Sequence, residues 1–144
     1  MVRRSFVALL AVAALAAAIP AAAEAQVPVR IRVIKGSRQG PAHVDPRLSN
    51  QARQLSALAY VSWQLVEEQS LDLQQGKPQF ISAGGESVAV TLQERRGNTV
   101  TIEVAVAARN TQSRLTVEKG QRIIHQVTPE KSGAALFVTV LAWP

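Results

Sequence analysis

Val88-Ala89-Val90-Thr91-Leu92-Gln93, then Arg95-Arg96-Gly97-Asn98, then Thr99-Val100-Thr101-Ile102-Glu103-Val104-Ala105-Val106, is the stretch that decides the fold. Apolar and polar residues alternate on both sides of a short turn sequence. A strand places successive side chains on opposite faces, so a period of two with one apolar face reads as a half-buried strand. Two such runs joined by a glycine-containing turn read as a hairpin. Val88, Val90, Val100, Ile102 and Val104 are expected to share one core.

Working outward, the same period recurs. Leu115 and Val117 lie on a further strand ended by Lys119-Gly120, and Arg122 to Val127 forms another. Ala134 to Trp143 is apolar at nearly every position, which suits a central strand covered on both faces. Toward the N-terminus, Gly84-Gly85 is a turn, Gln79 to Ser82 a short strand, and Gly76-Lys77-Pro78 another turn. Gln69 to Gln74 and Tyr60 to Val66 read as two extended stretches. Val27-Pro28-Val29-Arg30-Ile31-Arg32-Val33 alternates cleanly, with Arg30 and Arg32 on its wet face. Gly36 to Pro41 reads as a loop.

One helix interrupts the strands. Asp45 can cap free N–H groups and Pro46 suits the first helical position. Leu48, Ala52, Leu55 and Ala59 form one apolar stripe of about three turns, with Arg47, Asn50, Gln51 and Gln54 on the wet side. The predicted fold is mainly β (α+β): an antiparallel β-sandwich or half-barrel of about seven to eight strands with one early helix.

The 144 residues begin with Arg3 and Arg4, the apolar run Phe6 to Ile19, Pro20, and a small-residue stretch ending Ala23-Glu24-Ala25. This is the three-part pattern of a secretory signal with an A-x-A cleavage site. Ala21-Ala22-Ala23 is a second possible site. The apolar run falls short of the ~20 residues of a spanning helix. Residues 1–25 are thus expected to be a signal peptide and residues 26–144 a single β-rich domain beginning at Gln26. Arg3-Arg4-Ser5-Phe6-Val7 also resembles the core of a twin-arginine signal, so both export routes stay open. Cysteine is absent, which excludes disulfides, thiolate metal sites and a lipid-modified cysteine. Together with the Ala-rich leader this points to a bacterial envelope, periplasmic or secreted. The processed product is expected not to be integral to the membrane.

The net charge is +6, and removing Arg3, Arg4 and Glu24 leaves it one lower. A moderately basic surface favours anionic envelope polymers, lipid head groups or acidic proteins. Arg30 and Arg32 on the first strand and Arg95 and Arg96 at the hairpin tip are the candidate partner contacts. No carboxylate stands at a spacing that forces a local pair with them, so they are expected to be available. Nucleic acid is not expected: Tyr60, Trp63, Phe80, Phe137 and Trp143 give too few stacking platforms among the basic stretches.

Catalytic constellations do not assemble. A nucleophile triad needs a supporting context, and no G-x-S-x-G elbow surrounds a serine. His43 and Asp45 are close in sequence but lack further metal ligands, and Asp45 is accounted for as a helix cap. His125 reads as an ordinary strand residue. Glu67 and Glu68 point to opposite faces of a strand, and Glu94 and Glu103 lie outward. No cofactor is expected, and the expected role is non-catalytic. The strands are too short and the aromatics too few for an outer-membrane barrel.

Lys35-Gly36, Asp45-Pro46-Arg47-Leu48, Tyr60-Val61-Ser62-Trp63, Gly84-Gly85 and the Gly133 to Trp143 strand carry a family resemblance. In this layout the chain resembles small secreted bacterial proteins of unknown function. The resemblance implies an exported protein of this fold and assigns no functional residue. The two functions expected from these readings are a protein-binding accessory or structural module of the envelope, and a small binding module for an anionic glycan, lipid or other ligand.

Overall fold

The computed structural model describes residues 26–144; the expected signal peptide and its cleavage sites lie outside the described residues. The chain runs β1 (Val27–Ser37), β2 (His43–Val44), a 3-10 turn (Pro46–Gln51), α1 (Ala52–Ser56), β3 (Ser62–Leu73), β4 (Gln79–Ala83), β5 (Glu86–Arg96) and β6 (Thr99–Val106). A short 3-10 turn then leads to β7 (Thr111–Glu118), β8 (Arg122–Gln126) and β9 (Ala134–Ala142). One sheet has the order β2-β3-β1-β9-β8 and the other β4-β5-β6-β7. Pairing between the strands is antiparallel except for the two-residue contact between β2 and β3, and an isolated parallel bridge joins Gln75 to Leu92. The mainly-β sandwich with one early helical segment is the fold the alternation predicts.

The core between the sheets holds the hairpin residues expected there, and Leu92 and Val106 join them on the same face. Val88, Val90, Leu92, Val100, Ile102, Val104 and Val106 are all buried in one cluster with Val27, Val29, Ile31 and Val33 of β1. β9 sits between β1 and β8, and its apolar residues divide between two cores. Val138, Val140 and Ala142 face the second sheet, while Ala135 and Phe137 face the helical segment. The five-stranded sheet is therefore a middle layer, covered on one face by the other sheet and on the opposite face, at one end, by the helix.

Three expectations are corrected. The helix is shorter than its apolar stripe suggests: a 3-10 turn to Gln51, then a single α turn ending at Ser56. Leu48 and Leu55 are buried as expected, but Gln51, assigned to the wet side, is 2% exposed. The 3-10 stretch winds at three residues per turn, which rotates Gln51 out of the place a 3.6-residue helix would give it.

The second correction concerns residues 60–74, read as two separate stretches. All but the ends of this segment, Ser62–Leu73, form one strand, β3, with a bulge at Val66: Ile34 pairs with Leu65 and Val33 with Glu67. An extra residue flips the side-chain phase beyond it. Trp63 and Leu65 thus pack under the helix, while Leu71 and Leu73 belong to the inter-sheet core. The third correction is at β1, which continues through Gly36 and Ser37, residues read as loop. Gly36 is required there because a Cβ would lie 2.9 Å from the Trp63 ring.

Candidate functional site

The outer face of the middle sheet is where the sequence and the structure part most. Arg32 was expected to be free. It is 8% exposed and three of its five N–H donors are taken up: Nε donates to Glu68 Oε2 at 2.5 Å, and one terminal nitrogen to Asn50 Oδ1 (3.0 Å) and Gln51 Oε1 (2.9 Å). β3 supplies Glu68 directly opposite Arg32, and the 3-10 turn lowers Asn50 and Gln51 onto it. The pair is cross-strand, so sequence spacing could not reveal it: the partner lies 36 residues away.

The other expected contacts are also differently placed. Arg95 and Arg96 are exposed near the hairpin tip as expected, but as the last residues of β5 rather than loop residues, because only Gly97 and Asn98 connect β5 to β6. The Arg95 guanidinium lies 5.2 Å over the Trp143 ring, a cation–π geometry, and its Nε donates to the Gly97 carbonyl. Arg96 donates to Glu94 at 2.5 Å and is well exposed, a surface pair of small energetic weight. Arg30 is half-buried and makes no ion pair among the described residues. Arg30 and Arg32 share the outer sheet face, while Arg95 covers Trp143, which packs on the inter-sheet core. The four arginines do not form one surface.

Arg30 instead gains a neighbour that the sequence reading missed. Leu141 of β9 pairs with Arg30 on one side and Arg122 on the other, so both arginines stand in one row across the sheet. Burial pulls the Arg122 pKa down, and the charges of Arg32 and Arg30 pull it further, with Glu68 opposing. No sequence period links residues 30 and 122; the contact comes from β1 and β8 flanking β9.

Asp45 fixes the helical segment to the sheet. Its carboxylate accepts from the Arg47 backbone N–H (3.0 Å), the Arg47 guanidinium (2.7 and 3.0 Å) and the Leu65 backbone N–H (3.1 Å). The Arg47 side chain above all, then the two backbone N–H groups, holds this carboxyl far below the usual range. A carboxyl depressed in the folded state stabilises the fold fully above its unfolded pKa of about 3.9, and that contribution is lost as the pH falls toward the folded value. Thermal melts from pH 6 downward should therefore show stability declining below about pH 4. Asp45→Asn should flatten part of that decline. An unchanged acid slope in the variant would assign it to other carboxylates.

At the far end of β1, Tyr60, Trp63 and Phe137 pack edge-on and tilted with ring centroids 5.1–5.7 Å apart. Arg38 stacks over Tyr60 at 4.7 Å, and both donate to Glu130: Arg38 Nε at 2.5 Å and the Tyr60 hydroxyl at 2.9 Å. Those two hydrogen bonds lower the Glu130 pKa. His125 is half-buried, and burial lowers its pKa, favouring the neutral ring. Among the described residues, no group of three or more His, Cys, Asp or Glu side chains is placed to hold a metal ion, and no helix is long and apolar enough to cross a membrane.

A comparison with protein-family models, curated proteins and solved structures finds no match to this chain.

The remaining feature of the middle sheet is its edge. β3 is a 12-residue strand paired along its length to β1. Its other side is met by β2 only at Ser62 and Trp63, and Asp45 takes the Leu65 N–H. From Val66 to Leu71 no strand pairs with that side among the described residues. Such an edge presents backbone donors and acceptors to an incoming chain. The Val66 bulge and the charged Glu67 and Glu68 oppose indiscriminate pairing, as edge strands commonly do.

Proposed function

We propose that this chain is an exported, non-catalytic envelope protein that binds another protein, and that the contact is the open edge of β3. The observation that carries this reading is a long strand with one unpaired side, flanked by a bulge that limits pairing to a defined segment. An extended partner segment adding to that edge would gain backbone hydrogen bonds, with alternate side chains setting specificity. Export rests on the basic, apolar and small-residue order of residues 1–25. The location would be periplasmic or secreted, consistent with the family that the layout resembles.

The test is a photo-crosslinking residue at Ser70, on the edge, compared with one at Thr116 on β7, in the processed protein. The recovered protein should begin at Gln26. Ser70 should give one defined adduct in the envelope, and β3 amides from Val66 to Leu71 should gain hydrogen-exchange protection when that partner is added. An adduct at Thr116 alone, or a bound partner that leaves the β3 amides unprotected, would overturn the edge as the contact.

A further inference from the structure

The middle sheet extends past the end of the second sheet, and its inner face is there uncovered by strands. The β4–β5 turn marks the boundary: a Cβ on Gly84 would clash with the Leu136 side chain, and the register partner of Leu136 on β1 is Lys35. Beyond that line lies a cleft of about 450 Å³, within the size range of small-ligand sites. Its floor is Lys35 and Ser37 of β1 with Ser62 and Gln64 of β3, two directly paired rows. Its far wall is the turn bearing Lys131 and Ser132. No carboxylate and no aromatic ring lines it.

We infer that this cleft binds a polyhydroxylated anion, an acidic sugar unit, with its carboxylate toward Lys35 and Lys131 and its hydroxyls toward the serines and amides. Three observations carry the inference. First, neither lysine has an ion pair among the described residues, so neither ammonium in the cleft is directly neutralised by a carboxylate. Glu130, adjacent to Lys131 in sequence, is paired with Arg38 and accepts from Tyr60, and Glu67, one row inward on β3, is outside the lining and accepts from Gln69. Unneutralised like charges around a concavity attract an anion.

Second, the walls are held in place. Arg38 N–H donates to the Gly133 carbonyl at 2.8 Å, and the Gln39 side chain lies where a Cβ on Gly133 would meet it at 3.3 Å. The Arg38–Glu130–Tyr60 network ties the same two segments a second time. A site whose polar groups are fixed beforehand loses less ordering entropy on binding.

Third, the turn is conformationally costly at a residue that local geometry does not require to be serine. Lys131 and Ala134 exchange both backbone hydrogen bonds, and Ser132 and Gly133 both have positive φ, at 54° and 77°. This two-residue loop favours glycine or asparagine at the first position. Serine there places a hydroxyl on the cleft wall at an energetic cost, and residues held in this region cluster at ligand sites.

This inference goes beyond the edge reading and is independent of it, because the cleft lies on the inner face of the sheet. Binding is measured by calorimetry with the processed protein and tetragalacturonate, with maltotetraose and inorganic phosphate as comparison ligands. The acidic oligomer should bind, the neutral one should not, and affinity should fall as salt rises. Lys35→Gln with Lys131→Gln should weaken binding at least about tenfold, equivalent to about 1.4 kcal/mol. Ser132→Gly should weaken it about threefold while leaving the melting temperature equal or higher, since glycine relieves the positive φ. Absence of binding at 10 mM oligomer, about the weakest affinity such a site could use, overturns the inference. So does unchanged affinity in the double lysine variant, unchanged affinity in Ser132→Gly, or phosphate saturating the site as tightly as the oligomer. None of these outcomes bears on crosslinking at Ser70.

Discussion

Arg32→Glu is expected to destabilise the protein by about 2–4 kcal/mol, whereas Arg30→Glu should stay within about 1 kcal/mol. The two residues are neighbours on one face of β1, and from sequence they read as equivalent. Arg32, however, fills the seam between sheet and helical segment, with Glu68, Asn50 and Gln51 all accepting from it. Reversal would place two carboxylates face to face and remove the donor from Gln51, which is almost fully buried. A buried acceptor left unsatisfied costs about 1–3 kcal/mol by itself. Glu68 is 39% exposed, so water can offset part of the repulsion, which keeps the total below that of a fully buried broken pair. Arg32→Met separates the terms: it keeps the stem and deletes the donors, and should lose less than reversal does. Urea unfolding midpoints for the three variants decide the matter. Equal values for the Arg30 and Arg32 reversals would show that the seam contributes nothing.

Ile102→Ala should cost on the order of 2–4 kcal/mol, and Thr101→Ala well under 1 kcal/mol. Ile102 is wholly buried on β6, with Leu92 and Leu115 as its register partners on either side. Truncation loses the transfer free energy of the removed methyl groups and leaves a cavity that two rigid sheets cannot close. Thr101 points outward between Glu94 and Thr116, where water already reaches it. Similar losses at both positions would contradict the register of the β5–β6 hairpin.

The contrast between these two experiments marks what the sequence could convey. The hairpin was legible because each strand there has one dry face and one wet face, so hydrophobic period and burial coincide. The last strand was legible because a run apolar at both odd and even positions suits a strand covered on both faces. The β3 bulge was not, because polar Glu67 and Gln69 interrupt the apolar series between Trp63 and Leu65 on one side and Leu71 and Leu73 on the other, and all four apolar residues carry odd numbers. Nothing in that series shows that Val66 adds a half-turn of phase. The error at Arg32 has a related origin: alternation identifies the face away from the inter-sheet core, but a second layer covers that face. The cleft residues were dispersed among loop and strand readings, since Lys35, Ser62 and Lys131 share no spacing and meet only through the β1–β3 and β1–β9 pairings.

The bulge also has a mechanical meaning. Because β3 turns its side chains over at Val66, a single covalent rod is anchored in the helix-side core at one end and in the inter-sheet core at the other. β9 is anchored in both as well, through Phe137 on one side and Val138 on the other. The helical segment is thus no detachable lid. Pulling it away withdraws Trp63 and Phe137 from their packing and loads the same two strands that hold the sheets together. A domain wired in this way should come apart as one cooperative unit, with β3 under tension from both ends until it fails.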